Sequence, residues 1–159
     1  MTARLGIRAG LLASLLGAAV ACGGTTASPA AASPSPTPAP VVKTASATVA
    51  GASQTILVGA TGMTLYYYLP DKGGKITCTG QCAVNWPPLI LPTSKTSVPA
   101  TSDITGSFTL LANTEAGGSQ VLYNNWPLYY WIKDKQPGDT TGEGVGGKWH
   151  VATPGVIAG

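Results

Sequence analysis

Charged residues are scarce in this 159-residue chain, at 9%, and its two arginines, Arg4 and Arg8, both stand near the start. The chain has nine Lys plus Arg, so seven lysines remain beyond residue 21, against six acidic residues, a net charge of +1. No arginine and no lysine cluster is left there to neutralise a phosphate backbone. The composition therefore excludes nucleic acid as an expected partner.

Histidine and cysteine are rarer still: His150 is the one histidine, and Cys22, Cys78 and Cys82 are the only cysteines. With one histidine and no Gly-x-Ser-x-Gly motif, a nucleophilic triad is not expected. The acidic residues lack the spacing of an EF-hand, and no Cys-x-x-Cys-His motif is present for haem attachment. We therefore predict that the protein is not an enzyme and has no cofactor.

Long apolar runs are also missing, except for residues 11–20 behind the two arginines. That run is too short to span a bilayer and is typical of an export signal. It ends in Ala-Val-Ala-Cys at residues 19–22, which resembles the lipobox of bacterial lipoproteins, where the cysteine is acylated. The alternative is an ordinary secretory cleavage site before an unmodified Cys22. We predict a signal peptide over residues 1–21 and a lipid-anchored, extracytoplasmic protein of the cell envelope.

The segment after Cys22 is almost entirely Ala, Ser, Thr, Pro and Gly, and it carries one charge, Lys43. Such a composition offers too little apolar surface to offset the entropy of ordering. We therefore predict a disordered tether over residues 22–50. All aromatic residues lie between Tyr66 and Trp149, which places one folded domain at residues 51–156.

Within that domain the chain repeats itself at a fixed offset, which carries position 65 onto position 128. Six residues recur identically in type and spacing: Leu65, Tyr66, Tyr67, Asp71, Lys72 and Trp86 return as Leu128, Tyr129, Tyr130, Asp134, Lys135 and Trp149. The pattern indicates a duplication, with repeat one at about residues 54–91 and repeat two at about residues 117–154. We expect the repeats to be related by a pseudo-two-fold axis.

Short apolar and β-branched segments alternate with Gly, Asn and Pro, and none shows a helical period over ten residues. These segments are residues 55–58, 63–69, 108–112, 120–123, 127–132 and 148–152. Asn124 and Asn125 favour a tight hairpin turn, and residues 59–62 take the same place in the first repeat. Residues 83–86 could form one helical turn. We predict a small all-β domain of two diverged β-hairpin repeats with long Gly/Pro-rich loops.

The two strongest motifs are Tyr66-x-Tyr68-x-x-Asp71 and Tyr129-x-Trp131-x-x-Asp134. They resemble the Tyr-x-[Phe/Trp/Tyr]-x-x-Asp motif of a family of bacterial lipoproteins described as a secreted repeat of unknown function. The resemblance extends to the Cys-Thr-Gly-Gln-Cys segment at residues 78–82 and to Gly-Gly-Lys-Trp at residues 146–149. It implies an extracytoplasmic location and tandem repeats, and it brings no substrate or reaction.

The motif residues allow a structural and a functional interpretation. On a strand, Tyr66 and Tyr68 point to one face and Tyr67 to the other, so aromatic rings lie on both faces. Either these faces are packed in the core, or some rings form an exposed platform that binds a glycan or protein of the envelope. The candidate residues are Tyr66, Tyr68, Asp71, Trp86, Tyr129, Trp131, Asp134 and Trp149. For Asp71 and Asp134 we expect hydrogen bonds to backbone N–H groups in the turns that follow them.

Cys78 and Cys82 are the only thiols left once Cys22 is acylated, and an exported pair usually forms a disulfide. Gly80 between them permits the tight turn that this bond requires. The alternative is a copper or redox site in which the two thiolates and His150 bind the metal. We predict no metal, and a non-catalytic binding or scaffolding module, with the extracytoplasmic copper or redox protein as the alternative.

Overall fold

In a computed structural model, which describes residues 38–159, the regular secondary structure consists almost entirely of short strands. In chain order these elements are β1 (Val42–Val49), β2 (Ala52–Gly59), β3 (Tyr66–Tyr68), a 3-10 turn (Leu69–Asp71), α1 (Gln81–Asn85), β4 (Ile90–Leu91), β5 (Phe108–Asn113), β6 (Gly118–Tyr123), β7 (Trp126–Pro127), a second 3-10 turn (Val145–Gly147) and β8 (Trp149–Val151). The predicted all-β class is confirmed. No helix in the described part of the chain is long and apolar enough to cross a membrane. The predicted signal peptide, Cys22 and the tether up to residue 37 lie outside the described residues.

Strand β1 lies where composition predicted the end of the tether. It pairs antiparallel with β2 along its whole length, from Val42 opposite Gly59 to Val49 opposite Ala52. Val42 and Val49 are both buried. The prediction of disorder up to residue 50 is therefore wrong for this segment. Its Ala, Ser and Thr resemble a linker in composition, but its valines and threonines are β-branched and suit a strand that has a partner.

Each repeat contains a hairpin that leads into its aromatic segment, which is β3 in repeat one and residues 129–132 in repeat two. In repeat one the Leu65 N–H donates to the Leu57 carbonyl at 3.0 Å, and in repeat two the Leu128 N–H donates to the Val121 carbonyl at 2.9 Å. The second turn is made by the two asparagines at residues 124 and 125, with φ of 49° and 65°. The predicted tight turn is confirmed. The bonded pair Leu57 and Leu65 is one residue further apart along the chain than the pair Val121 and Leu128, so the first hairpin loop is one residue longer. The fixed offset between the repeats therefore holds only after the two turns.

The two repeats exchange strands beyond these hairpins. Strand β3 of repeat one pairs with β8 of repeat two, and Tyr67 lies opposite His150. In the reverse direction, the Tyr130 N–H of repeat two donates to the Pro87 carbonyl of repeat one at 2.7 Å. The aromatic segment of each repeat, β3 in repeat one and residues 129–132 in repeat two, therefore takes its backbone partner from the other repeat.

Tyr66 and Tyr129 lie where the two exchanged pairs meet. The N–H of each donates to the carbonyl of the other, and both N···O distances are 2.9 Å. Further out, the Leu69 N–H donates to the Lys148 carbonyl at 2.9 Å and the Ile132 N–H donates to the Asn85 carbonyl at 3.2 Å. The repeat offset carries each of these two bonds onto the other, as a two-fold relation between the repeats requires. The symmetry of the whole repeats stays a prediction.

The central strands separate two hydrophobic cores. Leu65 and Leu128 point into one core, while Tyr66 and Tyr129 point into the other. The first core is aliphatic, apart from Tyr123, and contains Val42, Leu57, Leu65, Leu89, Leu91, Val121, Leu128 and Ala152. The second contains most of the aromatic rings together with Val49, Ile56, Val58, Cys78 and Val151. The alternation of side chains along each strand decides which core a residue enters.

Candidate functional site

Two buried tyrosine–aspartate pairs join the repeats inside the aromatic core. The Tyr66 hydroxyl donates to Asp134 Oδ2 at 2.7 Å, and the Tyr129 hydroxyl donates to Asp71 Oδ2 at 2.6 Å. In each pair the tyrosine belongs to one repeat and the aspartate to the other. The motif tyrosine of each repeat therefore binds the motif aspartate of the other repeat. The spacing of residues within one motif does not reveal this pairing.

The second oxygen of each carboxylate binds a threonine further along the same loop. Asp71 Oδ1 accepts the backbone N–H and the hydroxyl of Thr77, at 2.9 and 2.5 Å. Asp134 Oδ1 accepts the same two groups of Thr141, at 3.0 and 2.7 Å. The expectation of bonds to the immediately following turn is therefore wrong, because each loop folds back and brings a threonine to the buried carboxylate.

Both carboxylates are held in the core by hydrogen bonds alone. Asp71 is fully buried and Asp134 is 6% exposed. The salt bridge found in residues 38–159 joins His150 and Glu143 and involves neither of them. Three donors on each carboxylate therefore replace the water that burial removes.

The two tyrosine hydroxyls are strongly held in their protonated form. Burial is the main cause that raises the pKa of Tyr66, and the hydrogen bond to Asp134 raises it further. Burial followed by the bond to Asp71 does the same to the pKa of Tyr129. A phenolate beside a carboxylate in the core would place two negative charges in contact, so both phenols stay neutral at any pH at which the protein works.

Four aromatic rings form a continuous stack next to these pairs. In order they are Trp131, Trp86, Trp149 and Tyr68, and we refer to them as the aromatic stack. Neighbouring ring centroids are 4.0, 3.8 and 4.3 Å apart, with interplanar angles of 22°, 3° and 21°. The two central rings come from different repeats and are nearly parallel, so the stack crosses the boundary between the repeats.

Each paired tyrosine makes a T-shaped contact with one of the two central rings. Tyr66 lies edge-on to Trp86 with centroids 5.4 Å apart, and Tyr129 lies edge-on to Trp149 at 5.2 Å. Such edge-to-face contacts are favourable because the positive ring edge meets the negative ring face. Each Tyr–Asp pair is thus in direct contact with the stack.

The outer rings of the stack lie at the surface. Trp131 and Tyr68 are half-buried, whereas Trp86 and Trp149 are only 4% and 5% exposed. The Lys133 ammonium lies 5.4 Å from the centroid of Trp131, within range of a cation–π contact. The Trp131 indole N–H is buried without a hydrogen-bond partner. Since the other candidate rings are buried in the core, they do not form an exposed platform for sugars.

Cys78 and Cys82 are joined by a disulfide, as predicted, with Cα atoms 5.2 Å apart. Gly80 between them adopts φ of 57°, which a residue with a side chain takes only with strain. Cys78 packs in the aromatic core. Cys78 follows the aspartate-bound Thr77, and in repeat two Gly142 follows the aspartate-bound Thr141; the Gly142 N–H donates to the Tyr66 hydroxyl at 3.2 Å.

His150 does not join the cysteines as a ligand. Its Nδ1 lies 2.9 Å from Glu143 Oε1, and Glu143 Oε2 accepts the Val151 N–H at 2.7 Å. In residues 38–159, no three His, Cys, Asp or Glu side chains are grouped in a way that could hold a metal ion. The arrangement gives the copper alternative no ligand set, because the two sulfurs are bonded to each other and His150 faces a carboxylate.

Strand β5 presents an open edge. The Asn124 N–H donates to the Ser107 carbonyl at 2.9 Å, which marks this pair as hydrogen-bonded. Bonded and non-bonded pairs alternate in an antiparallel ladder, so the backbone groups of Phe108, Leu110 and Ala112 point away from β6. In the part of the chain that the structure describes, no strand pairs with this edge.

The matching edge of repeat one is covered by the chain itself. The Thr101 N–H donates to the Val42 carbonyl at 3.1 Å, at the start of β1. At its other end, the Thr140 hydroxyl donates to the Thr48 carbonyl at 2.7 Å. The two edges therefore differ: β1 is partly closed to a partner strand, and β5 is open.

Comparison with known proteins identifies the family. A family model described as a secreted repeat of unknown function matches residues 47–90 and 110–153, together more than half of the chain. The chain belongs to this family. The two matches are separated by the same offset as the repeated motifs, and they include β2 and β6, which carry the two hairpins. No curated protein and no solved structure matches the chain.

Sequence reasoning missed the exchanged Tyr–Asp bonds and the four-ring order of the stack. One signal for the former was present: a threonine follows the motif aspartate at a similar distance in both repeats, Thr77 after Asp71 and Thr141 after Asp134. The stack has no comparable signal, because its order depends on which repeat supplies each ring.

Proposed function

We propose that this secreted-repeat protein is a lipid-anchored, non-catalytic binding module of the cell envelope, which takes up an extended segment of a partner protein along β5. The open edge of β5 is the observation that carries this proposal. An extended peptide can add a strand to such an edge through backbone hydrogen bonds alone, and alternate side-chain contacts then provide specificity.

The two motif aspartates and the two cysteines are engaged in the fold, which supports a binding role. Each motif aspartate is buried and accepts three hydrogen bonds, from Tyr129 and Thr77 to Asp71 and from Tyr66 and Thr141 to Asp134. The two sulfurs are joined. These groups hold the two repeats together and offer no free acid, base or nucleophile to a substrate.

A protein partner is favoured over an envelope glycan. Sugar binding relies on exposed aromatic faces, but Tyr66, Tyr129, Trp86 and Trp149 are buried. Strand β5 instead exposes Leu111, at 38%, beside its unpaired backbone groups. An apolar side chain next to an open edge suits a strand from a protein better than a sugar ring.

The family and the first 22 residues of the chain support the proposed location. The family is described as a secreted repeat, which supports a site outside the cytoplasm. The two arginines, the apolar run and Cys22 supply the proposed export signal and acylation site. Mass spectrometry of the native protein should find acyl chains on Cys22, and an unmodified mature terminus at another residue would remove the anchor from the proposal.

The binding edge is tested by photo-crosslinking in intact cells. A photoreactive amino acid replaces Thr109 on β5 in one variant and Ser53 on β2 in the other, since both positions are exposed strand residues. We expect a discrete adduct from position 109 and none from position 53.

A proline variant makes the test specific to the backbone edge. The Ala112 N–H points away from β6, so Ala112→Pro removes an outward donor and leaves the β5–β6 ladder intact. Ala112→Ser is the matched control, because it keeps that donor. The adduct should disappear in Ala112→Pro and persist in Ala112→Ser; an adduct that survives both changes would show that the partner does not pair with β5.

A further inference from the structure

The aromatic stack and the two Tyr–Asp pairs form one continuous array. The stack places Trp131 and Tyr68 at its two outer positions and Trp86 and Trp149 in the centre, with centroid separations of 3.8 to 4.3 Å. At these separations the π systems are in van der Waals contact, and an electron can pass between neighbouring rings. Because both outer rings are half-buried, electrons can enter and leave at either end.

Each central ring touches a tyrosine that already has a proton acceptor. Tyr66 meets Trp86, and its hydroxyl lies 2.7 Å from Asp134. Tyr129 meets Trp149, and its hydroxyl lies 2.6 Å from Asp71. A phenol becomes far more acidic when it loses an electron, so a hydrogen-bonded carboxylate can take its proton without any movement of the chain.

We propose that this array accepts a one-electron oxidising equivalent at the surface and stores it as a buried, hydrogen-bonded tyrosyl radical. An external one-electron oxidant removes an electron from Trp131 or Tyr68 and is itself reduced. The electron vacancy then moves to Trp86 or Trp149. Tyr66 or Tyr129 donates an electron to that oxidised tryptophan, and its phenolic proton passes to Asp134 or Asp71.

Electrons and protons are conserved in this step. The tryptophan returns to its reduced form, the tyrosine becomes a neutral radical, and the aspartate becomes a neutral carboxylic acid. An external one-electron reductant, such as ascorbate, restores the phenol when the proton moves back from the carboxyl group. The inference does not depend on binding at β5, since it uses only groups of the aromatic core.

The chemistry of the site supports storage as well as transfer. Both phenols are held protonated by burial and by the carboxylate, so loss of an electron must be accompanied by loss of the proton. The rings of Tyr66 and Tyr129 are fully buried, so a solvent reductant such as ascorbate cannot touch them and must pass its electron through the outer rings of the stack. A radical at either position should therefore outlive one on a surface tyrosine.

The test uses the full chain and a photogenerated ruthenium(III) polypyridyl complex as the oxidant. Transient absorption and electron paramagnetic resonance identify the radical and measure its lifetime. We expect a long-lived tyrosyl signal that forms more slowly in D₂O, because a proton moves with the electron, and that ascorbate removes. Tryptophanyl radicals alone, or formation that is equally fast in H₂O and D₂O, would overturn the proposal.

Variants assign the radical to the paired tyrosines. Tyr66→Phe with Tyr129→Phe should lose the long-lived signal, whereas Tyr67→Phe, on the other face of the strand, should keep it. Asp71→Asn with Asp134→Asn retains hydrogen-bond acceptors but not proton acceptors, so it should lose the signal even in protein that melts as a folded domain. If a folded double variant keeps the long-lived signal, the assignment to the paired tyrosines is wrong. If a variant does not fold, the comparison of H₂O and D₂O on the unchanged protein still tests the proposal.

Discussion

The Tyr66 hydroxyl donates a buried hydrogen bond of 2.7 Å to Asp134 across the boundary between the repeats. The Tyr129 hydroxyl binds Asp71 in the same way. Because each motif supplies one half of two different pairs, the repeated sequence stabilises the union of the repeats rather than each repeat alone.

Replacement of Asp134 by alanine should destabilise the domain by about 3 kcal/mol, since three buried donors lose their acceptor at about 1 kcal/mol or more each. Denaturant unfolding measures the change. Asp139→Ala is the control: this carboxylate also accepts backbone N–H bonds, but Asp139 is only half-buried, so water can replace it. A loss no greater than that of the control would show that the buried carboxylate is not needed for stability.

A double-mutant cycle tests the exchange of partners. Tyr66→Phe and Asp134→Ala should be strongly coupled, because both remove the same hydrogen bond. Tyr66→Phe and Asp71→Ala should be more nearly additive, although Tyr66 and Asp71 belong to one motif. The reverse order of coupling energies would mean that each tyrosine binds the aspartate of its own repeat.

The domain should lose stability in alkali. Burial raises the pKa of Tyr66 and Tyr129 in the folded state, so above pH of about 10 the unfolded chain releases protons that the folded chain keeps. The stabilisation is complete below that pH, and each tyrosine then costs about 1.4 kcal/mol per further pH unit. In chemical unfolding at several pH values, Tyr66→Phe should reduce this slope; an unchanged slope would assign the alkaline loss to other groups.

Gly142→Ala should destabilise the aromatic core. A Cβ at this position would lie 2.8 Å from ring atoms of both Tyr66 and Trp86, and both rings are fixed by their neighbours. Overpacking of this kind costs about 1–3 kcal/mol. Gly155→Ala is the matched control, since a Cβ there meets nothing within 4 Å. Equal melting temperatures of the two variants would contradict the close packing at residue 142.

The folded domain should require β1. A chain that begins at residue 51 lacks the buried side chains of Val42 and Val49 and exposes one edge of β2. The two valines alone contribute about 3 kcal/mol or more. Circular dichroism and thermal unfolding should show that a chain from residue 38 is folded and that a chain from residue 51 is much less stable; the same stability in both would place β1 outside the cooperative unit.

Reduction of the disulfide should have a modest effect. The five-residue ring between Cys78 and Cys82 constrains little of the unfolded chain, which corresponds to about 2 kcal/mol by the chain-entropy model. The denatured, unreduced domain should contain no titratable thiol, and Cys78→Ala with Cys82→Ala should melt at a lower temperature but still fold. Two free thiols in the native protein would reopen the copper alternative.

Local pattern predicted the disulfide and most of the strands, but segment 127–132 lies in a strand only at Pro127, where β7 ends. Segments 108–112 and 120–123 lie within β5 and β6, and the asparagine turn between residues 123 and 126 has the expected positive φ. Composition failed at β1, because its Ala, Ser and Thr resemble a linker, whereas its β-branched valines and threonines suit a strand that has a partner. Strand β4 was also missed, since Ile90 and Leu91 are too short a segment to give a periodic signal.

The sequence by itself determined the duplication, the all-β class and the alternation that sends Leu65 to one core and Tyr66 to the other. These features depend on residue type and on spacing along the chain, which local sterics and hydrophobic burial translate directly into strands and faces. Only the tertiary structure decided that each motif aspartate binds the tyrosine of the other repeat. The same holds for Trp86 and Trp149, which stack on rings of the other repeat. A repeated motif has two partners of equal chemistry, its own and its copy's, and the choice between them depends on how the whole chain packs.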